Sequence, residues 1–117
     1  MNTRERGKMG ETIALEYLNN MNYLTVAAGW RSRYGEIDLI VRKNEFIIFV
    51  EVKLRKNRSF ALAREYVSKE KQNKIRKTAS LWLVSHKTKL QPRFDVIEIY
   101  LPDDKSIPEI IHIENAF

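Results

Sequence analysis

Residues 35–53 read GEIDLIVRKNEFIIFVEVK, two runs rich in Ile, Val and Phe on either side of Lys43, Asn44 and Glu45. The alternation predicts a strand over 36–42, with Ile37, Leu39 and Val41 on one face and Glu36, Asp38, Ile40 and Arg42 on the other. A second strand is predicted over 46–54. It sets Ile48, Val50 and Val52 on one face and Ile47, Phe49, Glu51 and Lys53 on the other. Asn44 suits the turn because it takes the left-handed conformation cheaply. Glu51 and Lys53 then point the same way, about 7 Å apart along the strand. A hairpin across the turn brings Asp38 opposite the 49–51 stretch, so the three groups can converge. Ionised groups among so many apolar neighbours lose hydration and need a cation, an ion pair or a phosphate in return.

On the N-terminal side, residues 7–21 predict an amphipathic helix with Ile13, Ala14, Tyr17, Leu18 and Met21 on its inner face. Glu11 lies at the edge of that face and has two readings. One is a first-turn carboxylate stabilised by the helix dipole; the other is a third acid aimed at the sheet. Asn19, Asn20 and Asn22 break the helix. A β-rich run from Tyr23 ends at Gly29 and Trp30, with Trp30 read as packing rather than base stacking, and Arg31 to Gly35 reads as a polar, basic loop.

On the C-terminal side, residues 55–66 read as a basic irregular stretch with one helical fragment over 60–64. Ser68 is the expected N-cap of a second helix reaching His86, with Ile75, Ala79, Trp82 and Leu83 inward. Lys71 shares that face, either as a snorkelling side chain or as a phosphate contact. Arg93 to Leu101 alternates as a strand, with Asp95 read as structural or on the surface, and Ile110 to Ile113 suits an edge strand. His86 and His112 have no partner at metal-ligand spacing and read as ordinary side chains.

The length of 117 residues suits one domain spanning 1–117, and 44% hydrophobic with 31% charged residues is the composition of a soluble globular chain. The absence of cysteine excludes disulfides, thiolate zinc sites and cysteine nucleophiles. No run is long enough for a membrane span, and the charged start lacks an export signal's apolar core. A cytoplasmic protein is therefore expected. The net charge of +6 is concentrated: residues 53–77 hold ten Lys or Arg against two Glu, 10 − 2 = +8. Such a segment suits a polyanion through counterion release, or it is a solvated, solubilising surface.

Two carboxylates on adjacent strands form a hard-oxygen site for Mg²⁺ or Mn²⁺, completed by waters and a phosphate oxygen. Asp38 and Glu51 are then metal ligands and Lys53 the group that addresses the phosphate or orients water. Glu11 is an optional outer ligand. The competing reading is a simple Glu51–Lys53 salt bridge on a sheet face.

An acid, about a dozen residues, then E-x-K in an α-β-β-β-α-β order resembles the PD-(D/E)xK nuclease superfamily, with Asp38, Glu51 and Lys53 at its motif positions. Ile37 stands where the superfamily has proline. The whole chain resembles the YraN family of small bacterial proteins, distantly similar to archaeal Holliday-junction resolvases. The matching stretches are Gly10-Glu11, GEIDLI from Gly35, FVEVKLR from Phe49, Lys71-Gln72, RFDVI from Arg93 and the terminal NAF. The resemblance implies an α/β, restriction-endonuclease-like core: a mixed central sheet of about five strands flanked by helices in the order α-β-β-β-α-β-β. It also implies a metal-dependent endonuclease hydrolysing DNA phosphodiester bonds, branched DNA included, and it raises Glu11 to a site member. Arg55, Lys56, Arg58, Lys71 and Lys74 are the expected nucleic-acid contacts. A resolvase-like role would favour a homodimer. The alternatives are a nucleic-acid-binding module without turnover and a protein-interaction scaffold.

Overall fold

The computed structural model describes residues 2–56, 67–103 and 105–117. A helix α1 (Thr3–Asn20) is followed by strands β1 (Leu24–Ser32), β2 (Gly35–Lys43) and β3 (Phe46–Arg55). Helix α2 (Lys69–Ser85) and strands β4 (Gln91–Tyr100) and β5 (Glu109–Ile113) complete the order. The expected α-β-β-β-α-β-β arrangement and five-stranded mixed sheet are therefore present. The strands lie in sequence order. β1–β2, β2–β3 and β4–β5 are antiparallel, and β3–β4 is parallel. The helical fragment expected over 60–64 and the contact expected at Arg58 lie outside the described residues. Among the described residues no helix is long and apolar enough to cross a membrane.

Each helix covers one sheet face. Ala14 and Leu18 of α1 pack on Leu39, Val41, Ile48, Val50, Ile97 and Ile99. Ile75, Ala79 and Trp82 of α2 pack on Ile37, Ile40, Ile47, Phe49 and Val96, and Trp30 joins them, as packing rather than as an exposed platform. Both helix starts are capped by side chains that accept a backbone N–H: Asn2 from Glu5 at 2.9 Å and Ser68 from Lys71 at 3.1 Å. The Asn2 cap explains why α1 begins earlier than apolar spacing alone predicts. Its end corrects the expected inner stripe: Met21 is the C-cap and is 48% exposed. Asn22 and Asn44 both take the left-handed conformation, ending α1 and turning the β2–β3 hairpin respectively.

Two further departures shape the site. The 31–35 segment is not a loop, because β1 runs to Ser32 and only Arg33 and Tyr34 make the turn. Nor does β2 alternate strictly. Ile37 and Ile40 both face α2, whereas Leu39 and Val41 face α1, so Ile37 does not share a face with Leu39. The neighbouring strand makes the same three-residue step from Ala27 to Trp30. Between the pairs Ala28↔Leu39 and Trp30↔Ile37 stand Gly29 and Asp38. Gly29 has φ +66°, open to glycine and costly for most residues. The pleat therefore reverses where Asp38 emerges.

A Cβ at Gly29 would also lie 3.2 Å from Glu36 Oε1. Gly29→Ala should cost about 1–2 kcal/mol, the penalty of a left-handed L-residue. Urea denaturation of the two proteins checks this, and an unchanged midpoint would contradict it.

Candidate functional site

The β2–β3 ladder runs from Lys43↔Phe46 to Leu39↔Val50. Beyond that pair β2 turns away, and a side chain takes over from the backbone: Val52 N–H donates to Asp38 Oδ2 at 2.8 Å. The opening sets Asp38 beside Glu51, the next residue of β3. Glu51 is 5% exposed, and its Oε1 lies 3.1 Å from Lys71 Nζ and 3.6 Å from Lys53 Nζ. Of the expected convergence of Asp38, Glu51 and Lys53, the contact of Glu51 with Lys53 is present and Asp38 feels the charge of Glu51, while Lys71 joins Glu51 from the first turn of α2.

The electrostatics of the pair are unbalanced. Burial pushes the Asp38 carboxyl up to about 7, and the charge of Glu51 pushes in the same direction. The Val52 N–H opposes them, Glu11 adds to the rise, and Lys71 lowers it. Asp38 thus holds a proton at pH values where an ordinary carboxyl has lost it. Asp38 Oδ1 takes no hydrogen bond among the described residues.

Glu11 approaches from α1. Its pKa is also raised, by burial first and then by Glu36, with Lys8 opposing and Glu51 adding to the rise. It opens onto a different cleft, beside Lys8, Gly29, Arg31 and Glu36. Among the described residues no three His, Cys, Asp or Glu side chains form a ready-made metal cage, and Glu11 is near enough to Glu51 to feel its charge.

Asp38 lines a cavity of about 290 Å³ with Tyr34, Glu36, Lys71, Lys74 and Ile75. Lys71 and Lys74 therefore line the same cavity as Asp38 and Glu36. Lys74 also pairs with Glu70 at 3.4 Å, an exposed contact worth little. Arg55 ends β3 across from Tyr100, and Lys56 follows it, exposed.

A second polar cluster lies on the opposite sheet face. Asp95 is fully buried and takes both guanidinium contacts of Arg93, at 2.9 and 2.8 Å. His112 Nε2 meets it at 2.7 Å and Asn115 N–H at 3.0 Å. Tyr17 of α1 reaches His112 Nδ1 at 3.1 Å. Burial pushes the Asp95 carboxyl up, but the bonds from His112, Arg93 and Asn115 outweigh it and hold it below the usual carboxylate range. The structural reading of Asp95 holds, and its place is the interior rather than the surface. His112 is likewise a fastening residue, tying β5 to β4 and α1. Spacing along β4 puts Arg93 and Asp95 on one face, but it has no means of finding His112, which meets them through strand register. Sequence spacing also leaves Tyr34 unremarked inside an apparent loop, although an aromatic between arginine and glycine in a basic turn is itself a signal.

Residues 10–99 match the uncharacterised protein family UPF0102. A UPF0102 protein of Dictyoglomus turgidum is 36% identical over 118 residues, covering 100% of both chains. One of Caldanaerobacter subterraneus subsp. tengcongensis is 41% identical over 119 residues, covering 100% of this chain and 98% of its own. A Clostridium botulinum relative is 39% identical over 116 residues, covering 97% of this chain and 94% of its own.

Proposed function

Since this chain belongs to the uncharacterised protein family UPF0102, we propose for it, from the chemistry of the cleft, a metal-dependent endonuclease activity of the PD-(D/E)xK type on DNA. The observation that carries the reading is the placement of Asp38 beside Glu51 at a cleft walled by lysines, where burial first and then the charge of Glu51 raise the Asp38 pKa to about 7.

A divalent cation suits this donor set. Mg²⁺ is commonly held by one or two carboxylates plus substrate phosphates rather than by an all-protein cage, and the pair here is of that kind. A cation would offset both the burial and the repulsion that keep Asp38 protonated. When bound, Mg²⁺ or Mn²⁺ lowers the pKa of a coordinated water and offsets charge on the reacting phosphate. The chain's own residues do the rest. Asp38 and Glu51 would hold the ion, with the Val52 N–H fixing the Asp38 carboxylate. Lys53 and Lys71, already within 3.6 and 3.1 Å of Glu51, offer ammonium donors to a phosphate oxygen arriving beside it. Lys74 extends that wall. Glu11 adjusts the local charge. No side chain needs to act as a nucleophile, because water attacks phosphorus and the departing strand takes the proton.

Cleavage of linear, single-stranded and four-way-junction DNA with Mg²⁺ or Mn²⁺ tests this, comparing the wild type with Asp38→Asn and Lys53→Ala. Equal behaviour of the three proteins would sink the reading. The two lysines already on Glu51 Oε1 favour one alternative, a nucleic-acid-binding module without turnover.

Binding is expected on either reading. Lys71→Ala and Lys74→Ala should each weaken DNA affinity across sequences and flatten the log-log salt slope by about one per lost phosphate contact. Anisotropy titrations over a salt series measure it. A slope the same in both variants as in the wild type would remove these lysines from the interface.

A further inference from the structure

We propose that Tyr34 is a stacking platform for an unpaired base, so that the substrate presents a single-stranded nucleotide beside the phosphate to be cut. The inference rests on the nuclease reading and narrows its substrate to DNA with an overhang, flap or branch.

Three features of Tyr34 support it. The ring is on the wall of the cavity that holds Asp38, Lys71 and Lys74, within a nucleotide's reach of the acids. It packs with neither apolar cluster, unlike Tyr17, Tyr23 and Trp30. Its neighbours are cations instead: the Arg33 guanidinium 5.0 Å from the ring centre and Lys77 Nζ at 5.4 Å. An aromatic ring with charged neighbours on an open wall suits a nucleotide, whose base offers a π face and whose phosphate attracts the flanking cations.

The ring is also held in place. Tyr34 N–H donates to Ser32 Oγ at 3.0 Å, Ser32 Oγ meets Thr78 Oγ1 at 3.0 Å, and Thr78 Oγ1 donates to Lys74 O at 2.9 Å. The Ser32 hydroxyl also lies 3.4 Å from Gly35 O, an acceptor at the other end of the turn. The chain of contacts runs from the turn to the helix that carries Lys71 and Lys74, through Thr78, which is fully buried. Arg33 closes the arrangement by donating to the Tyr34 hydroxyl at 3.0 Å. Turn and phosphate-facing lysines are therefore one preorganised unit. A base inside a duplex is covered on both faces by its neighbours, so only an unpaired base can use such a platform.

Anisotropy titrations in EDTA, where no strand is cut, separate this from its premise. Three DNAs are compared: a duplex with a single-stranded overhang, the same molecule with abasic overhang sugars, and a fully paired duplex. Tyr34→Ala should lose roughly tenfold in affinity for the overhang DNA, the scale of one base–aromatic stack, and change little on the other two. Tyr34→Phe should keep wild-type affinity throughout. Stacking is overturned if Tyr34→Ala matches the wild type on overhang DNA, or loses equally on all three. If those losses are absent while Lys71→Ala still weakens binding, the nuclease reading survives without the platform. A wild type that binds none of the three removes both.

Discussion

Asp38→Asn should abolish DNA cleavage while making the metal-free protein more stable at pH 8. Loss of a carboxylate that holds the ion should reduce the rate by about 10²–10³-fold or more, the scale of removing one preorganised electrostatic contact. The stability gain has a separate origin. An Asp38 pKa of about 7 against an ordinary 3.8 means that the folded chain keeps a proton that the unfolded chain has lost between those values, 7 − 3.8 = 3.2 units. A folded pKa raised in this way stabilises fully below about pH 4, and that contribution disappears as pH rises through about 7. The difference across the window is on the order of 4 kcal/mol. Asparagine has no charge to bury there, and its carbonyl still accepts the Val52 N–H. Melting of the metal-free proteins at pH 5 and pH 8 reads the part of it above pH 5, about 3 kcal/mol: the wild type should lose stability between them and Asp38→Asn should lose less. A variant less stable than the wild type at pH 8, or one that cuts DNA at the wild-type rate, would contradict this account.

Asp95→Ala should destabilise the protein by about 3–5 kcal/mol, the scale of removing one partner of a buried ion pair, with Glu114 left 3.6 Å from the Arg93 guanidinium. Arg93, only 12% exposed in its side chain, would lose its bidentate partner, and His112 and the Asn115 N–H would lose their acceptor. The four groups come from β4, β5 and the chain end, so the change loosens the edge strand together with its anchorage to Tyr17. The Asp95 pKa is depressed, so its contribution is present above the ordinary carboxylate pKa and is lost as pH falls through the folded value. That acid window lies below the one in which Asp38 acts. Urea denaturation at pH 7 reads the effect, and a loss under about 1 kcal/mol would show that the network carries little of the fold.

The helices, the β2–β3 hairpin and the edge strand were legible because each has a strong local signature: apolar periodicity, a capping serine, an asparagine turn, a Pro-bounded connection. The same periodicity placed Glu51 and Lys53 on one face correctly. It misplaced Ile37, because a strict period of two has no way to register a pleat reversal that depends on a glycine in the neighbouring strand. Lys71 was legible as an oddly placed cation but not as the partner of Glu51, since that contact depends on how α2 lies across the sheet. The Arg93–Asp95–His112 cluster was invisible for a related reason. Arg93 and Asp95 share a face of β4 two residues apart, but His112 reaches them through the β4–β5 register, Val96↔Ile113 and Ile97↔His112, which no single segment encodes.

The parallel pairing of β3 with β4 has a consequence for how the chain is born. Strands β1 to β3 can pair as they emerge, through two tight hairpins, but β3 must wait for residues 91–100 before its second edge is covered. Until then Ile47, Ile48, Phe49 and Val50 sit beside an open row of backbone donors and acceptors, a template for pairing with another nascent chain. Non-local parallel pairing is also slow, because the intervening loop must close first. The stretch that bears the candidate site is thus the one most exposed to aggregation during synthesis, and slowing translation between residues 55 and 90 should lower the soluble yield.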